Sequence, residues 1–300
     1  MKKLLILSGK GGTGKTTAAA AFIDFLKAEA FADCDVDAPN LHLVTGMKAQ
    51  PECRDYFGSQ KAFIDPLKCT GCGACLEHCH FNAVVRHGEV CEISEYACEG
   101  CGVCEYICPQ NAVTMREDIA GEQRLYKDGR VFSTAKLKMG RGNSGKLVTE
   151  VKKALVKAAP DSELAVIDGS PGVGCPVIAS VSGADLVLIV AEPSLSGIHD
   201  MERILKTTAM LRVKTAVCVN KYDLCPEKAE DIERYCRENS VPFAGRIPFD
   251  KQVSDAVNEG HSLASVDCPA GEALKNILKS VQVLLREKKN NGESRKNGGE

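Results

Sequence analysis

Residues 3–8, KLLILS, form a short apolar run that opens straight into a glycine-rich loop, and TTAAAAFIDFLKAEA after it carries helix-forming residues. The predicted order is strand, loop, helix. Three further runs, LAVIDG (164–169), ADLVLIVAEP (184–193) and TAVCVNKYD (215–223), are continuously apolar rather than alternating, which suits strands of a parallel sheet buried on both faces. With helical or glycine-rich stretches between them, these runs predict an α/β fold with a doubly wound, mostly parallel sheet, its core over 1–50 and roughly 146–285. GNSGKLVTEVKKALVKA (142–158) reads as a helix with Ser144 as N-cap and Leu147, Val148, Val151 and Leu155 on its apolar face. GEALKNILKSVQVLLREKK (271–289) carries apolar residues at 274, 277, 278, 281, 284 and 285. Such a stripe suits packing on the sheet better than lying on a membrane.

Between the two halves the periodicity gives way to a repeat. CTGCGACLEHCHFNAV (69–84) aligns with CEGCGVCEYICPQNAV (98–113), nine of sixteen positions being identical at a constant offset of 29. Residues 61–118 are therefore assigned to a small inserted α+β unit, 1–60 and 119–287 to the two parts of the larger domain, and 288–300 to a disordered, apolar-free tail. KDG (127–129) is a hairpin turn between RLY and RVFSTAKL.

Composition narrows the class. The chain has 300 residues, 44% of them hydrophobic, and a formal net charge of -2. That is enough apolar material for one large domain with an insertion, and no overall basic footprint calls for nucleic acid. The apolar run at the N-terminus is too short for a signal peptide and no stretch reaches a membrane span, so a cytoplasmic location is expected, without membrane association. Sixteen cysteines in such a setting are not expected to pair as disulfides.

Their spacing gives eight of them a purpose. Cys69, Cys72, Cys75 and Cys79 form C-x2-C-x2-C-x3-C, and Cys98, Cys101, Cys104 and Cys108 repeat it with Pro109 following. This is the bacterial ferredoxin run, whose fourth cysteine ligates the other cluster. The expected sets are Cys69, Cys72, Cys75 and Cys108 on one [4Fe-4S] cluster, and Cys98, Cys101, Cys104 and Cys79 on the second. A zinc site would take two separated C-x2-C pairs, which is not this spacing. His80 stands where the second run has Pro109, a departure that leaves the ligand set intact.

Residues 9–17, GKGGTGKTT, complete the phosphate-loop pattern after a strand and before a helix. Gly9, Lys10, Gly11, Gly12, Thr13, Gly14, Lys15, Thr16 and Thr17 are the candidate nucleotide residues. Backbone amides from Gly11 to Lys15 would cradle phosphates, Lys15 would reach the β- and γ-phosphates, and Thr16 would ligate Mg2+. ADCDVDAPNL (32–41) puts Asp33, Asp35 and Asp37 at the end of a second strand, where acids can bind Mg2+ or orient water. Asp168 ends the run LAVID in a Walker-B arrangement.

GKGGTGKTT with Lys10, DCDVDAPNL and VIDGSPG together resemble the deviant Walker-A ATPases, the MinD, ParA and Mrp superfamily of CobQ/CobB/MinD/ParA nucleotide-binding type. The cysteine insertion resembles that of MinD-superfamily ATPases carrying a two-cluster ferredoxin domain. The resemblance implies that Lys10 crosses to the nucleotide of a partner subunit, that Asp35 positions the attacking water, and that the Gly172 amide lies near the γ-phosphate. It also implies that Asn220 and the RIPFD segment (246–250), with Pro248, hold adenine. NKYD (220–223) equally resembles a guanine-recognition NKxD pattern, so ATP is favoured over GTP without being fixed.

The expected function is an ATP-binding and hydrolysing protein, dimerising with nucleotide and coupling ATP state to electron transfer toward a partner or client protein. Two alternatives stay open: an iron-sulfur scaffold or carrier, and a MinD/ParA-like positioning ATPase with structural clusters. Cys175 follows the VIDGSPG turn close to where the nitrogenase iron protein resembled here carries a cluster ligand, but a lone cysteine more often fills a small apolar space. GNSGK (142–146) reads as either an anion site or only a cap.

Overall fold

The structure is a computed structural model and describes residues 1–47 and 49–287. In chain order its strands are β1 (Lys2–Leu7), β2 (Ala30–Asp33), β3 (Glu52–Phe57), β4 (Lys61–Ile64), β5 (Val84–His87), β6 (Val90–Ile93), β7 (Val113–Arg116), β8 (Ile119–Lys127), β9 (Val131–Leu137), β10 (Leu164–Asp168), β11 (Leu186–Ala191), β12 (Lys214–Asn220) and β13 (Phe243–Ile247). The helices are α1 (Lys15–Phe25), α2 (Leu41–Val44), α3 (Ala74–Glu77), α4 (Val103–Ile107), α5 (Ser144–Ala158), α6 (Cys175–Val181), α7 (Leu195–Met210), α8 (Pro226–Glu238), α9 (Lys251–Asn258) and α10 (Pro269–Arg286).

Nine strands form one sheet in the order β13-β12-β11-β1-β10-β2-β9-β8-β3. From β13 to β9 every neighbouring pair is parallel, and β8 and β3 then join antiparallel. The continuous apolar runs explain the two-sided burial. Leu5 and Leu7 of β1 pack on one face with α5 and α6, while Leu4 and Ile6 pack on the other with α1 and α10. The α10 stripe Leu274, Ile277, Leu278 and Val281 is buried in that second layer, so the amphipathic face is used up by the sheet. Among the described residues no helix is long and apolar enough to cross a membrane.

The sheet is wider than the core expected over 1–50 and 146–285, because β3, β8 and β9 extend it. β8 and β9 form the hairpin expected around KDG, with Gly129 in the left-handed region. The cap of α5 also differs from expectation. Asn143, at φ 70, occupies the capping position and Ser144 is the first helical residue; the asparagine tolerates the left-handed backbone that the chain needs to turn there.

Residues 61–116 form two separate two-stranded sheets, and the pairing crosses the repeat. β4 of the first copy pairs with β7 of the second, and β5 of the first with β6 of the second. The copies match beyond the cysteine runs: β4 and β6, α3 and α4, and β5 and β7 stand in equivalent positions, and Asn82 and Asn111 are both left-handed. Gly71 and Gly100 are equivalent close approaches, where a Cβ would lie 2.1 Å from the carbonyl oxygen of Glu89 or Gln60 respectively. The tail expected to be disordered, 288–300, lies outside the described residues.

One buried cation ties α5 to α6. Lys152 Nζ, on α5, donates to the carbonyl oxygens of Ala179 (2.8 Å), Ser180 (2.7 Å) and Ser182 (2.5 Å) at the end of α6. These are carbonyls that the helix itself leaves without donors, and they sit at its negative end. Lys152→Met is expected to lower the unfolding free energy by about 2–4 kcal/mol, since it orphans several partly buried acceptors. Urea unfolding of both proteins measures the difference.

Candidate functional site

The nucleotide loop sits where the chain reverses direction through the sheet. β1 lies between β10 and β11, and ligands of open α/β sheets bind at the carboxyl ends of strands beside such a switch point. A cavity of about 770 Å³ opens there. Its walls come from the ends of five strands: the loop after β1, Asp35 and Asp37 after β2, Ser170 and Pro171 after β10, Asn220 at the end of β12, and Ile247 to Asp250 after β13.

Lys10, Gly11, Gly12, Gly14, Lys15, Thr16 and Thr17 line this cavity, with Asp35, Asn220 and Pro248. Gly14 is forced by its neighbour as well as by its backbone. Its φ is 91, and a Cβ would stand 2.3 Å from Asn220 Nδ2, which itself donates to the Thr13 carbonyl at 2.7 Å. Gly9 and Thr13 do not face the cavity; both turn toward β11 and α7. Gly172 does not line it either, and its amide donates to the Ser8 carbonyl at 3.0 Å.

Lys15, Thr16 and Asp168 form the polar centre. Lys15 Nζ is 2.6 Å from Asp168 Oδ1 and the Thr16 hydroxyl donates to Asp168 Oδ2 at 2.7 Å. Both members of the ion pair are buried, Asp168 completely. Burial works to lower the Lys15 pKa, but the charge and hydrogen bond of Asp168, aided by Asp33 and Asp35, hold it above the ordinary lysine value. Asp35 is half-buried, and burial followed by the Asp168 charge raises its pKa against the pull of Lys15.

Asp33 is not the free acid expected at the strand end. Its carboxylate is fully buried and accepts from the amides of Asp35 (2.9 Å), Asn40 (2.9 Å) and Leu41 (3.0 Å). Desolvation and the Asp168 charge push its pKa up to about 7 against those amides and Lys15. It organises the loop that presents Asp35. Lys10 lies outside this centre, 2.5 Å from Glu192 Oε2 and 3.4 Å from Ser196 Oγ within its own chain. Asp223, the acid of the NKYD pattern, is absent from the cavity wall and accepts from the Phe249 amide at 2.7 Å.

The cysteines of the repeat line two smaller hollows. Cys69, Cys72, Cys75 and Cys108 line the first, joined by Cys91. Cys79, Cys98, Cys101 and Cys104 line the second, where Cys75 also reaches. Amides point at several sulfurs: Gly71 N and Cys91 N at Cys69 Sγ (3.4 and 3.5 Å), Ala83 N at Cys79 Sγ (3.3 Å) and Ala112 N at Cys108 Sγ (3.3 Å). Among the described residues no three His, Cys, Asp or Glu side chains converge closely enough for one metal ion. Cys175 is exposed at the start of α6. Cys91 belongs to no motif; its signal in the sequence is the offset of 29, which sets it opposite Ala62.

A strap joins the two regions. Arg141 bonds the Glu95 carbonyl (2.8 Å) and carboxylate (2.7 Å) and lies 3.0 Å from Asp118 Oδ2. Asn143 Nδ2 donates to Ser59 Oγ at 2.7 Å. Gly145 then rests on the carbonyl of Cys175, directly after the loop that holds Gly172. The GNSGK stretch is thus a connection between the cysteine unit and α6.

This sheet order and this loop define a P-loop nucleotide-binding domain. The CobQ/CobB/MinD/ParA nucleotide binding domain matches residues 4–263, and the chain belongs to that family. An uncharacterized protein of Methanocaldococcus jannaschii is 31% identical over 291 residues, covering 94% of this chain and 97% of the relative. The iron-sulfur cluster carrier protein of the same organism is 28% identical over 137 residues, 41% of this chain and 47% of its own. Among solved structures, the MinD cell division protein of Aquifex aeolicus superposes with a TM-score of 0.54 at 19% identity, covering 94% of this chain and 97% of that one. The cell division ATPase MinD of Pyrococcus furiosus gives 0.56 at 17% identity, covering 94% and 99%. Those two share the fold.

Proposed function

We propose that the protein binds and hydrolyses ATP with Mg2+, dimerises with ATP, and couples that cycle to electron transfer through two [4Fe-4S] clusters toward a partner protein. The observation that carries it is the presence in one chain of a complete phosphate-loop centre and two cysteine-lined hollows, joined by the Arg141–Gly145 strap. The cysteine unit has the donor set such clusters need. A cubane takes one thiolate at each corner iron, so its ligands surround a volume instead of meeting at a point, and amides donating to the ligand sulfurs are part of how proteins hold it. When bound, the clusters supply one-electron storage.

The chain's own residues carry the nucleotide chemistry. Lys15 exchanges Asp168 for the β- and γ-phosphates, which frees Asp168 and Thr16 to hold Mg2+. Asp35, presented by the Asp33-anchored loop, orients the attacking water. Lys10 leaves Glu192 to meet the nucleotide of a second copy. Asn220 and Pro248 flank adenine; the engagement of Asp223 by the Phe249 amide supports adenine over guanine. A work cycle in which ATP closes the dimer then reaches the cysteine unit through α6 and the strap.

Anaerobically purified protein is expected to hold about eight irons per chain, and Cys72→Ala, an exposed position, to hold about four. Iron analysis and sedimentation with and without a non-hydrolysed ATP analogue measure both halves of the proposal. A chain that stays monomeric with ATP, or whose cluster potentials ignore nucleotide, overturns it. The similarity to an iron-sulfur cluster carrier protein supports a second reading, in which the chain hands a cluster to apo-targets. Retention of labelled iron in a transfer assay rules that reading out.

A further inference from the structure

The two hollows are built from equivalent parts of one repeat; their linings differ at Thr70 and Glu99, at Ala74 and Val103, at Gln110 and Phe81, and at one further position that carries a sulfur in the first hollow alone. The first contains Cys91, on β6; the equivalent residue of β4 is Ala62, which lines the second. Cys91 is only 3% exposed. Its amide donates to Cys69 Sγ at 3.5 Å, and it lines the first hollow together with Cys69, Cys72, Cys75 and Cys108. Four sulfurs already serve the first hollow, so a fifth there needs its own explanation.

We infer that Cys91 is a positioning residue which donates its S–H to a ligand sulfur of the first hollow and thereby raises the reduction potential of the first cluster above that of the second. The inference rests on the two-cluster reading above. Four irons of a cubane take four thiolates, which leaves Cys91 no iron and makes it an S–H donor toward a neighbouring sulfur. A donor to a ligand sulfur stabilises the extra negative charge of the reduced cluster more than the oxidised one, and hydrogen bonding to sulfur is a lever by which proteins set these potentials. Ala62 offers the second hollow no such donor.

The test is a potentiometric titration with dithionite, followed by electron paramagnetic resonance, of the full chain purified anaerobically. The wild type is expected to show two separate midpoint potentials. Cys91→Ala is expected to lower the higher one, keep the other, and keep the full iron content. Cys91→Ser retains a donor and is expected to leave the two potentials apart. Ala62→Cys is expected to raise the lower potential. Unchanged potentials in Cys91→Ala and Ala62→Cys overturn the inference, as does the loss of half the iron in Cys91→Ala, which would make Cys91 a ligand. A wild-type chain without iron fails the two-cluster reading and this inference together, whereas full iron with unmoved potentials fails this inference alone.

Discussion

Replacing Lys15 with methionine is expected to cost about 3–5 kcal/mol of stability before any ligand is added, because it strands a buried carboxylate without its partner. Lys15 and Asp168 are 6% and 0% exposed and 2.6 Å apart, so neither can fall back on water. The double variant Lys15→Met/Asp168→Asn removes both charges and is expected to recover most of that loss, as urea unfolding of the wild type and the two variants would show. Nucleotide binding is a separate matter. Both variants lose the cation that reaches the phosphates, and calorimetric titration should find ATP affinity reduced by about 10²–10³ in each. Full stability loss in the double variant would mean that the pair is not what holds this centre together.

Lys10→Ala is expected to behave in the opposite way. Its ion pair with Glu192 joins two partly exposed side chains, and such pairs contribute about 0–1 kcal/mol. Stability and ATP affinity should therefore stay near the wild-type values. Hydrolysis should fall by about 10³ or more, the scale on which a cation supplied to a neighbouring active site stabilises phosphoryl transfer. ATP-dependent dimerisation should be lost in sedimentation. A Lys10→Ala protein that dimerises and hydrolyses normally would show that this lysine serves only its own chain.

The strands that the sequence announces are those whose environment is the same on both sides. β10 and β11 are apolar at nearly every position, β1 and β12 each carry an unbroken buried apolar run of four, and the phosphate loop needs only contiguous residues. β3 is different: of ECRDYF only Tyr56 is buried, and its place in the sheet is fixed by β8, more than sixty residues on. Membership of an edge is decided by the partner, which no local pattern records. The same holds for Asp33, which looks like a second catalytic acid until its three amide donors are located. Lys152 sits in a helix whose polar positions read as a solvated face, yet it is 8% exposed because the end of α6 needs a donor. Asn143 and Ser144 are both cap-forming residues, and only the backbone turn separates them.

The crossed pairing of the repeat has a consequence for how such a chain can change. Lys61 of β4 stands opposite Arg116 of β7, and just outside them Gly58 N bonds the Asp118 carbonyl, where the β3–β8 ribbon begins. The cysteine unit therefore enters and leaves through one two-stranded stem, its ends side by side. Excision between those ends would leave β3 and β8 facing each other with only a tight turn to supply, and the nine-stranded sheet would keep all its partners. Within the unit no such cut exists, since each copy lends a strand to the other. The module is modular as a whole and indivisible in half, so this architecture gains or loses its cysteine-lined hollows two at a time.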